Sequence, residues 1–282
     1  MVLKSPTTGT GLLDERVPQA ETRDRAVVLG CAIDRLDVAQ TLARCNAIIA
    51  GGSFAQQVSI NAAKLVALRH DPELRDIVNR CELVNADGQS IVWASRLLGD
   101  PLPERVAGID LMHELIAIAV RESYGIYILG ARAEVLQTAV ERLRQMHPKL
   151  RISGYRDGWF PEDESLEVAA AIRDSGARIL FVAMSSPRKE RWLGEYGAML
   201  NVPFVMGVGG SIDIVAGVTR RAPATWQRFG IEWLYRLLQE PRRMFRRYLV
   251  TNMQFIALVA RGMPARLLTS ASRRYVAKLP SP

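Results

Sequence analysis

Seven short runs of strand-forming residues alternate with segments of helical period, and this alternation narrows the possible folds more than any other feature of the chain. The runs are AVVLG (26–30), QQVSI (56–60), ELV (82–84), GIYILGA (125–131), LRISGY (150–155), RILFVAM (178–184) and VPFVMGV (202–208). Several are apolar throughout, as strands are when both faces of a parallel sheet are covered. Helix-period segments fall near 37–50, 61–80, 88–98, 108–122, 132–146, 163–175 and 187–199. The alternation predicts an α/β fold, a Rossmann-like sandwich with a mainly parallel sheet. Neither an internal repeat nor a low-complexity segment interrupts it.

Charge divides the chain. From Thr219 to Pro282 there are 13 Lys+Arg against 2 Asp+Glu, whereas the rest carries 24 against 27, within an overall balance of +8. The basic part also holds Trp226, Phe229, Trp233, Tyr235, Phe245, Tyr248, Phe255 and Tyr275. Arginine interleaved with aromatics is the composition of a segment that lies in a membrane interface. Its longest apolar stretch, Leu249 to Ala260, is about half the roughly 20 residues a spanning helix needs. The expected organisation is therefore a flexible leader (1–25), a catalytic Rossmann-like domain (26–218) and a helical, basic, membrane-binding C-terminal appendage (219–282). The leader lacks the apolar run of a signal peptide. Cys31, Cys45 and Cys81 form no C-x-x-C pair and read as reduced core residues of a cytosolic protein, and His70, His113 and His147 are too scattered for a metal cluster.

In open α/β sheets ligands bind outside the carboxyl ends of the strands. Four strand-to-helix turns there carry polar chemistry: Ser59-Ile60-Asn61, Asn85-Ala86-Asp87-Gly88, Ser185-Ser186-Pro187 and Gly209-Gly210-Ser211. Asp87 has two readings. It either caps the helix over 88–98, or serves as a general base, which needs a carboxylate at hydrogen-bond reach of an attacking hydroxyl. A glycosidase would need two opposed acidic side chains, and no second acidic turn is evident, which favours transfer over hydrolysis. The chain contains no Asp-x-Asp, and the acidic PEDES run (161–165) reads as a solvated helix start. Positive side chains and helix N-termini can stabilise a departing diphosphate instead. The fingerprint G-x-G-x-x-G is absent after the first strand, where LGCAID stands, which counts against a nicotinamide enzyme.

Taken together, VSINAAKL, NADGQSIVW, ERVAGIDL, ILGA, SSPRKERW, GVGGSIDIVAGVTRRAP and GIEWLYRLLQEPRRMFRRYL resemble, in order, the WecG/TagA/CpsF family of bacterial glycosyltransferases, across roughly 26–250. The resemblance implies an inverting, metal-independent transferase without a cofactor. Such an enzyme moves a hexosyl unit (N-acetylmannosamine, its uronic acid or glucose) from a UDP-sugar to a sugar on a polyprenyl diphosphate, at the cytoplasmic membrane face. By the same resemblance Asp87 is the catalytic base, and Ser59 (where the family usually has threonine) and Asn61 form the substrate-positioning turn. Arg105 is an active-site arginine and Asp213 a nucleotide-contacting carboxylate. The family's Gly-x-Pro-Lys-Gln-Glu appears as Ser185-Ser186-Pro187-Arg188-Lys189-Glu190, so Lys189 replaces a glutamine and adds a cation near the diphosphate. Arg236, Arg243 and Arg247 of the appendage are expected to fold over the crevice onto that diphosphate. The remaining arginines would meet anionic lipid.

Two other classes stay open from sequence: a nucleotide-dependent oxidoreductase on the same sheet, and a nucleic-acid binder using the basic tail. The tail's aromatics suit lipid better than nucleic acid. Donor sugar, acceptor and oligomeric state, a homo-oligomer included, are left open.

Overall fold

The computed structural model describes residues 23–239, 241, 245 and 249–263. In chain order its elements are β1 (Arg25–Val28), β2 (Cys31–Asp34), α1 (Val38–Gly51), β3 (Ala55–Ile60), α2 (Ala62–His70), α3 (Pro72–Arg80), β4 (Leu83–Ala86), α4 (Gln89–Leu97), α5 (Gly108–Arg121), β5 (Gly125–Gly130), α6 (Ala133–Met146), β6 (Arg151–Arg156), α7 (Ser165–Asp174), β7 (Ile179–Ala183), α8 (Arg188–Tyr196), β8 (Phe204–Gly207), α9 (Ser211–Val215), α10 (Ala224–Arg228) and α11 (Glu232–Gln239). Residues 249–263 form a C-terminal helix. Six parallel strands make one sheet in the order β4-β3-β8-β7-β5-β6. The α/β sandwich expected from the alternation is therefore present.

One strand differs. The 26–30 run enters β1, which pairs antiparallel with β2 in a separate two-stranded ribbon. The ribbon guards the edge of the sheet: Asp34 Oδ2 accepts the Val84 N–H of edge strand β4 at 2.6 Å, and Arg25 holds Asp34 at 2.8 Å. A carboxylate that consumes an edge donor removes a site for unwanted strand pairing. The first strand of the parallel sheet is thus β3. The turn after it, Asn61-Ala62-Ala63-Lys64, also lacks a glycine fingerprint, so the argument against a dinucleotide site holds at the correct strand.

The 61–80 helix is in fact two. Asp71 closes α2, and its Oδ1 accepts the Leu74 N–H at 2.9 Å to start α3, with Pro72 in the first turn. Proline lacks the N–H that a continuous helix would need there, and its fixed φ suits a first turn.

Three apolar clusters hold the layers. On one face α1, α5, α6 and α9 pack on the sheet around Phe181, Phe204 and Met206. On the other face α7 and α8 cover β5, β7 and β8, while α2, α3, α4 and the ribbon cover β3 and β4. The C-terminal helix joins this last cluster through Phe255 and Val259. Its opposite face leaves Leu249, Val250, Met253 and Ile256 exposed. The three cysteines are free and buried, and burial pushes each thiol up to about 12, so they stay protonated core residues. Among the described residues no helix is long and apolar enough to cross a membrane.

Candidate active site

The four polar turns follow β3, β4, β7 and β8, which are neighbours in the sheet, and so meet along one stretch of its carboxyl edge. The strand order brings together what the chain keeps over a hundred residues apart.

Asp87 leaves the end of β4 with its N–H bonded to Ile60 O of β3 at 2.9 Å. Its carboxylate does not cap α4: Gly88 occupies that cap position without a side-chain bond. Oδ1 instead accepts the Gly108 N–H, the first of α5, at 2.8 Å. A fourteen-residue helix thus directs its positive end at the carboxylate. The other oxygen has no hydrogen-bond partner among the described residues, and the half-buried residue is not sealed in. Desolvation nevertheless raises its pKa above the ordinary aspartate value. The Gly108 N–H, Arg105 and Lys64 oppose that rise, while Glu232 adds to it. Such a group is more basic than a surface aspartate and so a better proton acceptor.

Gly108 packs closely on this site, where even a methyl would press on a neighbour. A Cβ at that position would lie 3.3 Å from Ser59 Oγ and 3.9 Å from Asp87 Oδ1. Ser59 therefore stands beside the Asp87 carboxylate. A buried polar chain positions it: Thr41 Oγ1 bonds Asn85 Nδ2 at 3.2 Å, and Gln57 Nε2 spans Asn85 Oδ1 (3.1 Å) and Ser59 Oγ (3.2 Å). Asn61 caps α2 by accepting the Lys64 N–H at 3.0 Å, and packs against the Asp87 turn at Gly88. It is exposed, with its side-chain oxygen committed to the cap.

Lys189 also reaches this edge. Its stem lies against Gly207, where a Cβ would come within 2.7 Å of Cε. Glu190, fully buried, receives Lys64 Nζ at 2.7 Å and Lys189 Nζ at 3.5 Å on the same oxygen. Burial alone would raise the Glu190 pKa, but the two lysines outweigh it and hold it below the ordinary value. Burial and the Lys64 charge pull Lys189 down to about 8, against the attraction of Glu190 and Asp87. Arg188, by contrast, turns away to the carbonyls of Gly158 and Phe160 and to the Phe160 ring.

Helix α11 spans the crevice. Glu232 accepts from Arg105 at 2.9 Å, and one turn later Arg236 lies on the Gly210 backbone, where a Cβ would overlap its Nη2 and sit 3.4 Å from Asp213 Oδ2. Arg236 Nε is buried without a hydrogen-bond partner among the described residues. An arginine of the basic segment thus covers the Gly209-Gly210-Ser211 turn beside Asp213. Arg243 and Arg247 lie outside the described residues. The apolar side of α11 is only partly covered: Leu234 and Leu237 are half-buried, while Trp233 and Leu238, and Phe229 before the helix, are exposed.

Asp87, Ser59, Asn61, Arg105, Lys189, Asp213 and Arg236 therefore line one edge. Sequence reasoning missed Lys64, Glu190 and Glu232. Glu190 had a signal, since it shares a buried helix stripe with Leu193 three residues on; Lys64 and Glu232 had none. Glu232 is a second carboxylate whose charge acts on Asp87, and it stands on a helix, with Oε1 bonded to Arg105. Among the described residues no group of three His, Cys, Asp or Glu is placed to hold a metal ion. A pocket of about 450 Å³ lined by Tyr127, Gln137, Tyr155 and Arg156 opens elsewhere, at the β5–β6 end of the sheet.

Comparison with known proteins gives two results. A family model described as Glycosyl transferase WecG/TagA/CpsF family matches residues 26–267. A solved substrate-binding periplasmic protein from Ralstonia solanacearum aligns over 90% of this chain and 75% of its own, at 18% identity and a TM-score of 0.29, too low for anything to follow from it.

Proposed function

The chain belongs to the WecG/TagA/CpsF family of glycosyltransferases, enzymes of cell-surface polysaccharide synthesis, and from that premise we propose that it moves a hexosyl unit from a UDP-sugar to a sugar carried on a polyprenyl diphosphate, with inversion and without a metal ion, at the cytoplasmic membrane face. The reading is carried by one observation. The Asp87 carboxylate is held by one oxygen to the start of α5, while its other oxygen has no partner among the described residues, at an edge that also gathers Lys189 and Arg236.

Asp87 takes the proton of the acceptor hydroxyl as that oxygen bonds to the anomeric carbon. The bond from that carbon to the UDP oxygen breaks on the opposite side, and its electron pair leaves with the diphosphate. Developing negative charge is met by Arg236 and Lys189. Preorganised cations in a partly desolvated site stabilise such charge without reorganising. Ser59 and Asn61 position the substrates, and Asp213 contacts the nucleotide.

The test is transfer of labelled sugar from a panel of UDP-sugars to a short-chain lipid diphosphate-sugar, with a chelator present. Labelled product of inverted anomeric configuration is expected. Dependence on added divalent metal, retention of configuration, or transfer from no UDP-sugar would overturn the proposal.

A further inference from the structure

Helix α4 buries Ile91, Val92 and Ala94 but turns a second stripe outward, Trp93 and Leu97, four residues apart and in line with the half-buried Gln89. Trp93 is 49% exposed and Leu97 57%. The catalytic reaction uses neither. The stripe is continuous with the exposed residues of the basic segment. Gly230, in the turn between α10 and α11, seats its backbone on Gln89 and Trp93, so closely that a Cβ would lie 2.6 Å from Gln89 Cβ. Phe229 precedes that glycine and Trp233 follows in the first turn of α11, 71% and 43% exposed. On the other side the C-terminal helix packs at Leu98, beside Gly262, and leaves Met253 and Ile256 outward.

We propose that this stripe of α4, on the catalytic body itself, seats in the surface of an anionic lipid bilayer and thereby carries the Asp87 turn at a fixed height above the headgroups. The inference rests on the lipid-linked acceptor of the proposed function. Two kinds of residue at the patch identify the occupant. Tryptophan beside aliphatic side chains favours the headgroup boundary. Exposed Arg96, Arg228 and Arg261 rim the patch, and arginine near such a surface is attracted to anionic lipid. Contiguous exposed apolar surface rimmed by charge is otherwise uncommon on a monomer. Helix α4 starts two residues after Asp87, so Trp93 stands about 9 Å along its axis from the catalytic turn. A headgroup layer held at Trp93 brings the sugar of a lipid-anchored diphosphate to the carboxylate, and a free sugar gains nothing from it.

The test compares the full chain with W93E/L97E and with the apolar control W93F/L97M. Three readings are taken: sedimentation with vesicles of phosphatidylcholine containing phosphatidylglycerol, transfer to acceptor embedded in those vesicles, and transfer to a short-chain acceptor in solution. W93E/L97E should lower vesicle binding about tenfold or more, since two buried apolar groups are lost. Vesicle transfer should fall at least several-fold more than solution transfer, while W93F/L97M binds like the parent. Unchanged vesicle binding overturns the inference. So does a change of sedimentation coefficient without lipid, which would assign the patch to a second copy of the chain. Vesicle binding is read without turnover, so failure of the glycosyltransfer assignment appears separately, as absence of solution transfer by the parent.

Discussion

Arg105, in the loop before α5, donates to Glu232 of α11 at 2.9 Å, and both charges act on Asp87 from opposite signs. The pair ties α11, the second helix of the basic segment, to the loop that leads into α5 beside Asp87. Arg105→Gln removes the attraction that lowers the Asp87 pKa and loosens α11 at once. Both partners are mostly buried, so docking should weaken by about 1–3 kcal/mol. Hydrogen exchange over residues 232–239 should accelerate, and the acidic limb of the pH–kcat/KM profile should move to higher pH.

The pH profile should have two limbs of stated origin. Activity rises as Asp87 loses its proton, at a pH above that of an ordinary aspartate, and falls above about 8 as Lys189 loses its charge. Stability follows the opposite sign at the alkaline end. Lys189 has a folded pKa of about 8 against an ordinary 10.5, so the unfolded chain holds more protons between those values. Its contribution to folding stability therefore increases from pH 8 to 10.5 while turnover declines. Parallel denaturation and rate measurements over that range check both signs.

Glu190→Gln leaves two lysines without their shared carboxylate in a buried setting. Breaking a buried pair from one side costs about 3–5 kcal/mol. A lower midpoint of thermal unfolding is expected. The alkaline limb should also shift below 8, because Glu190 holds the Lys189 proton on. Adding Lys64→Met to Glu190→Gln should recover part of the lost stability.

Gly210→Ala should act through Arg236. The new methyl would overlap the end of a flexible side chain, which can move, so the fold should tolerate it. Donor KM should rise about tenfold, comparable to Arg236→Ala, and the double variant should be no worse than either single one, since both remove the same contact. Steady-state kinetics with the donor varied gives the answer.

The sheet was legible because strands covered on both faces must be apolar throughout, as in β7 and β8, where Phe181 and Phe204 are fully buried. The β1–β2 ribbon was not, since AVVLG has the same composition whether it enters the sheet or guards its edge through Asp34. Asp87 could be singled out from its turn, yet its partner could not: the Gly108 N–H is 21 residues away and reaches the carboxylate only through the loop at Val106, whose N–H bonds Ala86 O at 2.8 Å. Glu232 reads as one more charge on a helix until α11 is laid against Arg105. Long-range pairing of this kind leaves no periodic trace in a single sequence.

Asp87→Asn tests the account most directly. The amide oxygen can still accept from Gly108, so thermal stability and UDP binding should stay near those of the parent. Turnover should fall by about 10²–10⁴, the contribution of a positioned general base. An Asp87→Asn enzyme that folds, binds UDP and transfers sugar within a few-fold of the parent rate would contradict the assignment of this carboxylate as the base.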